Sequence, residues 1–190
     1  MAAVDRVRRI AYLKSMAILD IIKIPDPMLR RPSAAVERVD AGLERLVRDM
    51  FATMYAAPGV GLAAVQVAVP RRVLVMDIVK GEEEPKQPIA MLNPEILAVV
   101  GDEMRTYEEG CLSIPDVFAD VERPATVRVR YLDMNGHMAE MLCEGMLATV
   151  VQHEIDHLNG KLFIDYLSKL RRNIIIKKMV KAKRDEETVS

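Results

Sequence analysis

Residues 146–158 read MLATVVQHEIDHL, an apolar stretch that ends in the charged sequence His153-Glu154-Ile155-Asp156-His157. On an α-helix, a spacing of four residues places His153 and His157 about 40° apart on one face, so both imidazoles can bind one metal ion. Glu154 lies beside them and can reach a water molecule on that ion. This stretch therefore predicts a helix that carries a metal site.

The alternative for this stretch is a surface helix with two unliganded histidines. That alternative predicts polar neighbours, whereas the motif is surrounded by apolar side chains typical of a core: Leu147, Val150, Val151 and Leu158. Burying two imidazoles and a carboxylate without partners would be costly. The metal site is therefore the favoured interpretation.

The composition excludes several classes of protein. The chain has 190 residues, with 27 Lys and Arg against 28 Asp and Glu, and this balance excludes a bulk nucleic-acid binder. Its 2 Cys and 3 His exclude a disulfide scaffold and a zinc-finger array. Aromatic residues make up 4% with no Trp, too few for a base-stacking surface, so we expect no sequence-specific nucleic-acid partner. No apolar run approaches the length of a membrane span, so we expect no membrane partner.

Residues 1–15 are interpreted as an N-terminal extension. They are mostly basic in charge but lack the apolar run of a secretory signal. Either this segment is a disordered extension, or Met16 is the functional start and the segment lies upstream of it. With no export signal and 2 thiols in the chain, the expected compartment is the cytoplasm.

The hydrophobic pattern predicts a single catalytic domain over residues 16–190. A first helix begins at the N-cap Asp40 and ends at Pro58-Gly59. Helical spacing returns over residues 146–158 and again from about Tyr166 to Glu187. The clearest strand patterns between these helices cover residues 72–79, 126–132 and 138–143, the last two joined by a hairpin turn.

These elements predict an α+β fold. We expect mainly antiparallel β-sheets packed around a central metal-binding helix, with an N-terminal helix and a C-terminal helix.

A catalytic metal site usually has three protein ligands and one open position, so a third ligand is needed. In zincin proteases it lies downstream, but no histidine follows His157, which leaves Asp165 or an acid of the tail. Upstream, Cys111 lies between Gly110 and Leu112 beside two acidic residues. Cys143 instead lies in an apolar strand pattern, as a small buried hydrophobe does.

A Gly-rich stretch, GVGLAAVQ at residues 59–66, directly follows the first helix. It lacks the lysine and the spacing of a phosphate-binding loop. Its glycines allow another backbone to approach closely, and Gln66 is a neutral donor within apolar surroundings. Taken alone, this stretch is also compatible with a turn that leads into the core.

Three stretches together resemble the motifs of the peptide deformylase family: GVGLAAVQ at 59–66, EGCLS at 109–113 and QHEIDH at 152–157. They occur in the family's order, and the resemblance extends from about Ile18 to Leu170. The EGCLS form is typical of bacterial members.

The resemblance implies a metal-dependent amide hydrolase that removes the N-formyl group from the formylmethionine of nascent polypeptides and releases formate. Cys111, as a thiolate, would then bind a divalent metal ion together with His153 and His157. Glu154 would take a proton from a water molecule on that ion and return it to the departing amine. The implied resident ion is Fe²⁺, which Zn²⁺, Ni²⁺ or Co²⁺ can replace.

The resemblance also implies how the N-formylmethionyl peptide is bound. The Gln66 amide and the Leu112 backbone N–H would stabilise the charge that develops on the formyl oxygen. The peptide would pair with nearby backbone in β-strand fashion, and an apolar pocket would hold the methionine side chain. The residues implied in substrate binding are Val60, Gly61, Glu109, Gly110, Met146 and Val150, of which Val60, Met146 and Val150 are candidates for the pocket. Arg123 would orient Glu109.

Two other functions are compatible with the motifs. A zincin-like metallopeptidase requires a third metal ligand downstream of His157. A non-catalytic, metal-stabilised peptide-binding domain requires that Glu154 has no part in turnover.

The formal charge of −1 conceals an uneven distribution. Residues 168–184 carry eight basic residues and no acid, which leaves 19 basic and 28 acidic residues elsewhere. A basic terminal helix is often only a solvated surface, but a deformylase has to meet nascent chains. We therefore predict that this helix binds the ribosome near the nascent-chain exit in a salt-sensitive way.

Overall fold

The computed structural model describes residues 16–79 and 84–189 of the chain. The predicted N-terminal extension, residues 1–15, lies outside this part. The α+β prediction is confirmed, since the described residues form three α-helices and seven strands, and the named strands pair only in antiparallel fashion. None of the described helices is both long enough and apolar enough to cross a membrane.

The helices agree with the predictions except at one boundary. α1 spans Ala41–Ala56, α2 spans Gly145–Leu158 and α3 spans Lys169–Val189. The Asp40 carboxylate caps α1 by accepting a hydrogen bond from the Leu43 N–H at 2.9 Å. The predicted start of α3 at Tyr166 is wrong, because Phe163–Tyr166 forms a separate 3-10 turn.

The strands form two separate sheets. A five-stranded sheet has the order β1-β2-β3-β6-β7, and β4 and β5 form a two-stranded sheet. The bounds are β1 Gly61–Ala63, β2 Val73–Met76, β3 Ile89–Val99, β4 Met104–Cys111, β5 Ile114–Pro124, β6 Thr126–Leu132 and β7 Met138–Glu144. The predicted hairpin is confirmed as β6 and β7, whereas the predicted strand 72–79 is shorter and is β2.

The five-stranded sheet lies between two helices. Side chains alternate along β2, so Leu74 and Met76 face a core shared with α2, whereas Val73 and Val75 face a core shared with α1. A third apolar cluster joins β5 to the 3-10 turn and to α3, from which Ile175 and Met179 are buried. α2 is therefore the central helix, as predicted.

Residues 22–24 form a link between the two sheets. The Ile22 N–H donates to the Gln66 carbonyl at 2.8 Å, and the Ile24 N–H donates to the Ser113 carbonyl at 3.0 Å. Gln66 follows β1, and Ser113 lies in the turn between β4 and β5. This segment therefore links the last residues of the Gly-rich and Cys-containing motifs through backbone hydrogen bonds.

Candidate active site

Three predicted ligands meet between the two sheets. Cys111 is the last residue of β4, and His153 and His157 project from one face of α2. One ligand atom from each lies within 4.8 Å of the others, and Cys111 Sγ is 3.2 Å from His157 Nε2. Among the described residues, this is the one group of three such side chains close enough to bind a single ion.

The donor set fits a divalent transition metal. His153 Nδ1 donates a hydrogen bond to Glu109 at 2.8 Å, which fixes the ring and leaves Nε2 free as a ligand. One thiolate and two imidazoles are the ligands preferred by zinc, iron, cobalt and nickel. Asp165, the downstream alternative, is instead engaged by Arg30 and by the Leu162 N–H.

A buried ion-pair network holds His153 in place. Arg123 is only 2% exposed and contacts both Glu109 oxygens, with Nε at 2.5 Å and Nη2 at 3.0 Å. Its remaining nitrogen donates to Asp156 at 2.8 Å and to the Tyr166 hydroxyl at 3.1 Å. Although burial opposes ionisation, the hydrogen bonds from His153 and Arg123 keep the pKa of Glu109 below its usual range. Arg123 therefore orients Glu109 and links β4 to the helix that carries the histidines.

Glu154 is a buried carboxylate without a complete set of partners. It is 4% exposed, and its Oε2 has no hydrogen-bond partner among the described residues. Burial raises the pKa of Glu154 to about 7. A carboxylate in this state can both accept and donate a proton near neutral pH.

Gly61 makes room for Glu154. A Cβ atom at position 61 would lie 2.9 Å from the Glu154 carboxyl carbon and 3.0 Å from its Cγ. The second glycine of the Gly-rich motif is therefore required by close approach and not by a turn.

Gln66 points its amide nitrogen toward the ligand cluster. Its Oε1 accepts a hydrogen bond from the Ala63 N–H at 2.8 Å, which fixes the orientation of the amide. Its Nε2 then lies 3.2 Å from Ser113 Oγ and 3.6 Å from Cys111 Sγ. The Gln66 amide is therefore a neutral hydrogen-bond donor held in a fixed orientation beside Cys111.

A cavity of about 620 Å³ opens over these groups. The predicted metal-binding, catalytic and substrate-binding residues all border it except His157, which is 1% exposed. Glu109 borders the cavity too, but both of its carboxylate oxygens are engaged by Arg123 and His153. Met146 and Val150 of α2 form part of the apolar wall, together with Val60.

The cavity lies between two strand edges. β1 is the outer strand of its sheet, and the Asp77 N–H donates to the Val60 carbonyl at 2.9 Å. Because pairing alternates along an antiparallel edge, the polar groups of Gly61 face away from β2 and toward the cavity. On the opposite side, Gly110 of β4 borders the same space.

Several cavity residues lie outside the predicted set. Tyr107, Thr149 and Phe118 of β5 border the cavity, and Phe118 is 60% exposed. Asp156 and Tyr166, which hold Arg123, were missed as well, although Asp156 lies inside the His-Glu motif. The position of Asp156 directly before the ligand His157 was the one sequence signal that could have indicated its part in the site.

Comparison with known proteins agrees with this geometry. Residues 18–173 match the family model described as polypeptide deformylase. A peptide deformylase from Mesorhizobium japonicum is 56% identical over 171 residues, covering 90% of this chain and 96% of that protein.

Solved structures give the same result. A peptide deformylase from Ehrlichia chaffeensis superposes with a TM-score of 0.83 and 42% identity, covering 90% of this chain and 99% of that one. A class I type b peptide deformylase from Acinetobacter baumannii with bound Met-Ala-Ser superposes with a TM-score of 0.74 and 38% identity. The match covers 80% of this chain and 99% of that one. The chain therefore belongs to the polypeptide deformylase family.

Proposed function

We propose that this protein hydrolyses the formamide bond of N-formylmethionyl peptides and releases formate and a free amino terminus. The observation that carries this proposal is the Glu154 carboxylate, which is buried, incompletely partnered and borders the same cavity as the ligands Cys111 and His153. The Acinetobacter baumannii relative binds Met-Ala-Ser, the peptide that would remain after formate is removed.

A divalent metal ion held by Cys111, His153 and His157 would polarise the formyl group and lower the pKa of the attacking water. Glu154 accepts the proton of that water as the C–O bond forms. It then donates this proton to the nitrogen as the C–N bond breaks, so that the products are formate and an amine. Its raised pKa suits both transfers.

Two donors of this chain face the developing oxyanion. Gln66 Nε2 is fixed by the Ala63 hydrogen bond and points toward the ligand cluster. The second donor is the backbone N–H of Leu112, the residue after the ligand Cys111, and both residues border the cavity. Pre-oriented donors of this kind typically contribute about 10²–10³ in rate each.

The peptide would lie as an additional strand between the two open edges. Gly61 of β1 offers its backbone polar groups on one side, and Gly110 of β4 borders the other side. The methionine side chain would enter the apolar part of the cavity near Val60, Met146 and Val150.

Formate release from formyl-Met-Ala-Ser by anaerobically purified protein tests the activity. We expect turnover of this peptide and none of acetyl-Met-Ala-Ser, whose extra methyl group crowds the reacting carbon. Metal analysis of the same sample tests our further proposal that the resident ion is Fe²⁺, which a thiolate and two imidazoles can hold. The proposed activity is wrong if protein containing one metal ion per chain releases no formate.

Replacing Gly61 by alanine is expected to lower kcat for formyl-Met-Ala-Ser by about 10²-fold. The added methyl group would force the Glu154 carboxyl group, 2.9 Å away, out of position. Metal content should not change, because neither residue is a ligand. The measurement is steady-state formate release together with metal analysis.

Gly42→Ala is the matched control for this variant. Gly42 lies in the first turn of α1, outside the cavity lining, and the added Cβ would meet only Asp40 Oδ1, at 3.2 Å. Equal activities of the two variants would show that the close approach of Gly61 to Glu154 has no role in turnover.

We propose further that the protein acts on nascent chains in the cytoplasm and binds the ribosome through α3. Lys177, Lys181 and Arg184 are exposed and recur at intervals of four and three residues, which places them on one face of α3. A row of cations on one helix face suits the phosphate backbone of ribosomal RNA.

Replacing Lys177, Lys181 and Arg184 together by glutamine is expected to weaken ribosome binding at least about tenfold at low salt. Deletion of α3 would be a poorer test, because Ile175 and Met179 are buried in the third apolar cluster. Co-sedimentation with ribosomes over a series of salt concentrations measures the effect.

The matched control replaces three exposed arginines outside α3, namely Arg38, Arg45 and Arg128. Equal loss of binding in both triple variants would indicate attraction by total charge alone. Hydrolysis of free formylated peptides should be the same in both.

A further inference from the structure

Asp77 is a buried carboxylate that the proposed reaction does not use. It directly follows β2 and is 3% exposed. Its Oδ2 accepts a hydrogen bond from the Tyr55 hydroxyl at 2.7 Å, and its Oδ1 accepts one from the Val79 N–H at 3.0 Å. Its own backbone N–H donates to the Val60 carbonyl at 2.9 Å. Asp77 therefore binds the last turn of α1 through its side chain and the residue before β1 through its backbone.

These contacts lie at both ends of a connecting loop, residues 57–60. Tyr55 precedes the loop at the end of α1, and Val60 is its last residue. The loop and Gly61 border the cavity, whereas neither Tyr55 nor Asp77 does. An effect of this pair on turnover would therefore act through the loop.

Contacts on the cavity side keep the loop from moving inward. A Cβ atom at Gly59 would lie 2.9 Å from Leu112 Cδ1, and one at Gly61 would lie 2.9 Å from the Glu154 carboxyl carbon. The backbone therefore has no room to move toward the cavity. Movement in the opposite direction is opposed by the hydrogen bonds of Asp77.

The strand that follows the loop has little pairing of its own to fix its position. β1 contains only three residues and, as the outer strand of its sheet, pairs only with β2. Its first residue, Gly61, lies opposite Met76 and offers its backbone polar groups to the proposed peptide. A displacement of the loop would therefore move the edge with which the peptide pairs.

We propose that Tyr55 and Asp77 are positioning residues that hold the edge of β1 at the distance required for pairing with the peptide backbone. This inference rests on the proposed deformylase activity. The Tyr55 ring is also held independently, by stacking on Phe51 with ring centroids 6.2 Å apart and by the Lys86 ammonium group 5.2 Å from its centroid. The hydroxyl can therefore be removed while the ring keeps these contacts.

The test compares kcat/KM for formyl-Met-Ala-Ser with kcat/KM for formylmethionine amide, which lacks the residues after methionine. We expect the wild-type protein to prefer the longer peptide, and Tyr55→Phe to lower this preference about fivefold, chiefly through a higher KM. In Asp77→Asn the preference should be retained, because the amide nitrogen can donate to the Tyr55 hydroxyl while the amide oxygen accepts from Val79. Hydrogen exchange over residues 57–63 should be faster in Tyr55→Phe and close to the wild-type rate in Asp77→Asn.

Tyr131→Phe is the matched control, because Tyr131 lies on β6 and does not border the cavity. Its preference for the longer peptide and its exchange over residues 57–63 should equal those of the wild type. The inference is overturned if Tyr55→Phe keeps the wild-type preference, or if it lowers kcat/KM equally for both substrates, as a general loss of stability would. Failure of wild-type protein with one metal ion per chain to turn over formyl-Met-Ala-Ser would instead overturn the proposed activity itself.

Discussion

Replacing Glu154 by glutamine is expected to lower kcat/KM for formyl-Met-Ala-Ser by about 10³-fold while the bound metal is retained. The amide has the size of the carboxylate but cannot accept the proton of the attacking water or return it to the leaving amine. Glu154 is not a member of the ligand cluster, so the metal content should stay at the wild-type value. Formate release and metal analysis on the same preparations measure both quantities.

Glu140→Gln makes the same chemical change at an exposed position of β7 and should leave the rate unaffected. Thermal unfolding provides a further check, because removing a buried ionisable group should not destabilise the fold. A Glu154→Gln variant that deformylates at the wild-type rate would contradict the assignment of the proton-transfer role.

Replacing Cys111 by alanine is expected to remove the metal and lower the rate by more than about 100-fold. The variant keeps only His153 and His157 as ligands, and loss of a ligand should exceed the 10–100-fold effect of losing a group that merely supports one. Metal analysis after dialysis, followed by formate release, measures the result.

The chain contains its own control for this variant, since Cys143 is the second free cysteine. Cys143 is buried in the apolar core shared by the large sheet and α2, and burial raises the pKa of its thiol to about 11. Cys143→Ala should therefore keep its metal. A Cys111→Ala variant with full metal content would support a downstream third ligand, as in the zincin-like alternative.

The ligand cluster could be predicted because its residues lie within short sequence motifs whose spacing is informative. The spacing of His153 and His157 requires a common helix face, and the apolar residues around them require that the face is buried. Cys111 was one of several candidates for the third ligand, and only the resemblance to a family selects it and assigns a role to Gln66. Spacing alone leaves the third ligand open.

The β4–β5 sheet could not be predicted from the hydrophobic pattern. Of the contacts described for it, only the pairing of Arg123 with Glu109 was expected, and that expectation came from the resemblance. Much of β4 is exposed, so its apolar residues do not alternate with the period of a half-buried strand. Without the register of this pair, nothing in the sequence places Phe118 over Gly110. The hydrogen bond from Arg123 to Asp156 could not be predicted either, because it joins β5 to α2 and depends on how these two elements pack.

The link that residues 22–24 make between the two motifs limits how far the chain can be shortened. Ile22 and Ile24 each supply one backbone hydrogen bond, the first to the Gln66 residue and the second to Ser113 in the turn that follows Cys111. Upstream of them, the Ala17 and Leu19 N–H groups donate to Asp49 and Thr53 of α1. A chain that began after Ile24 would lose both of these backbone hydrogen bonds, to Gln66 and to Ser113, although no motif residue would be missing.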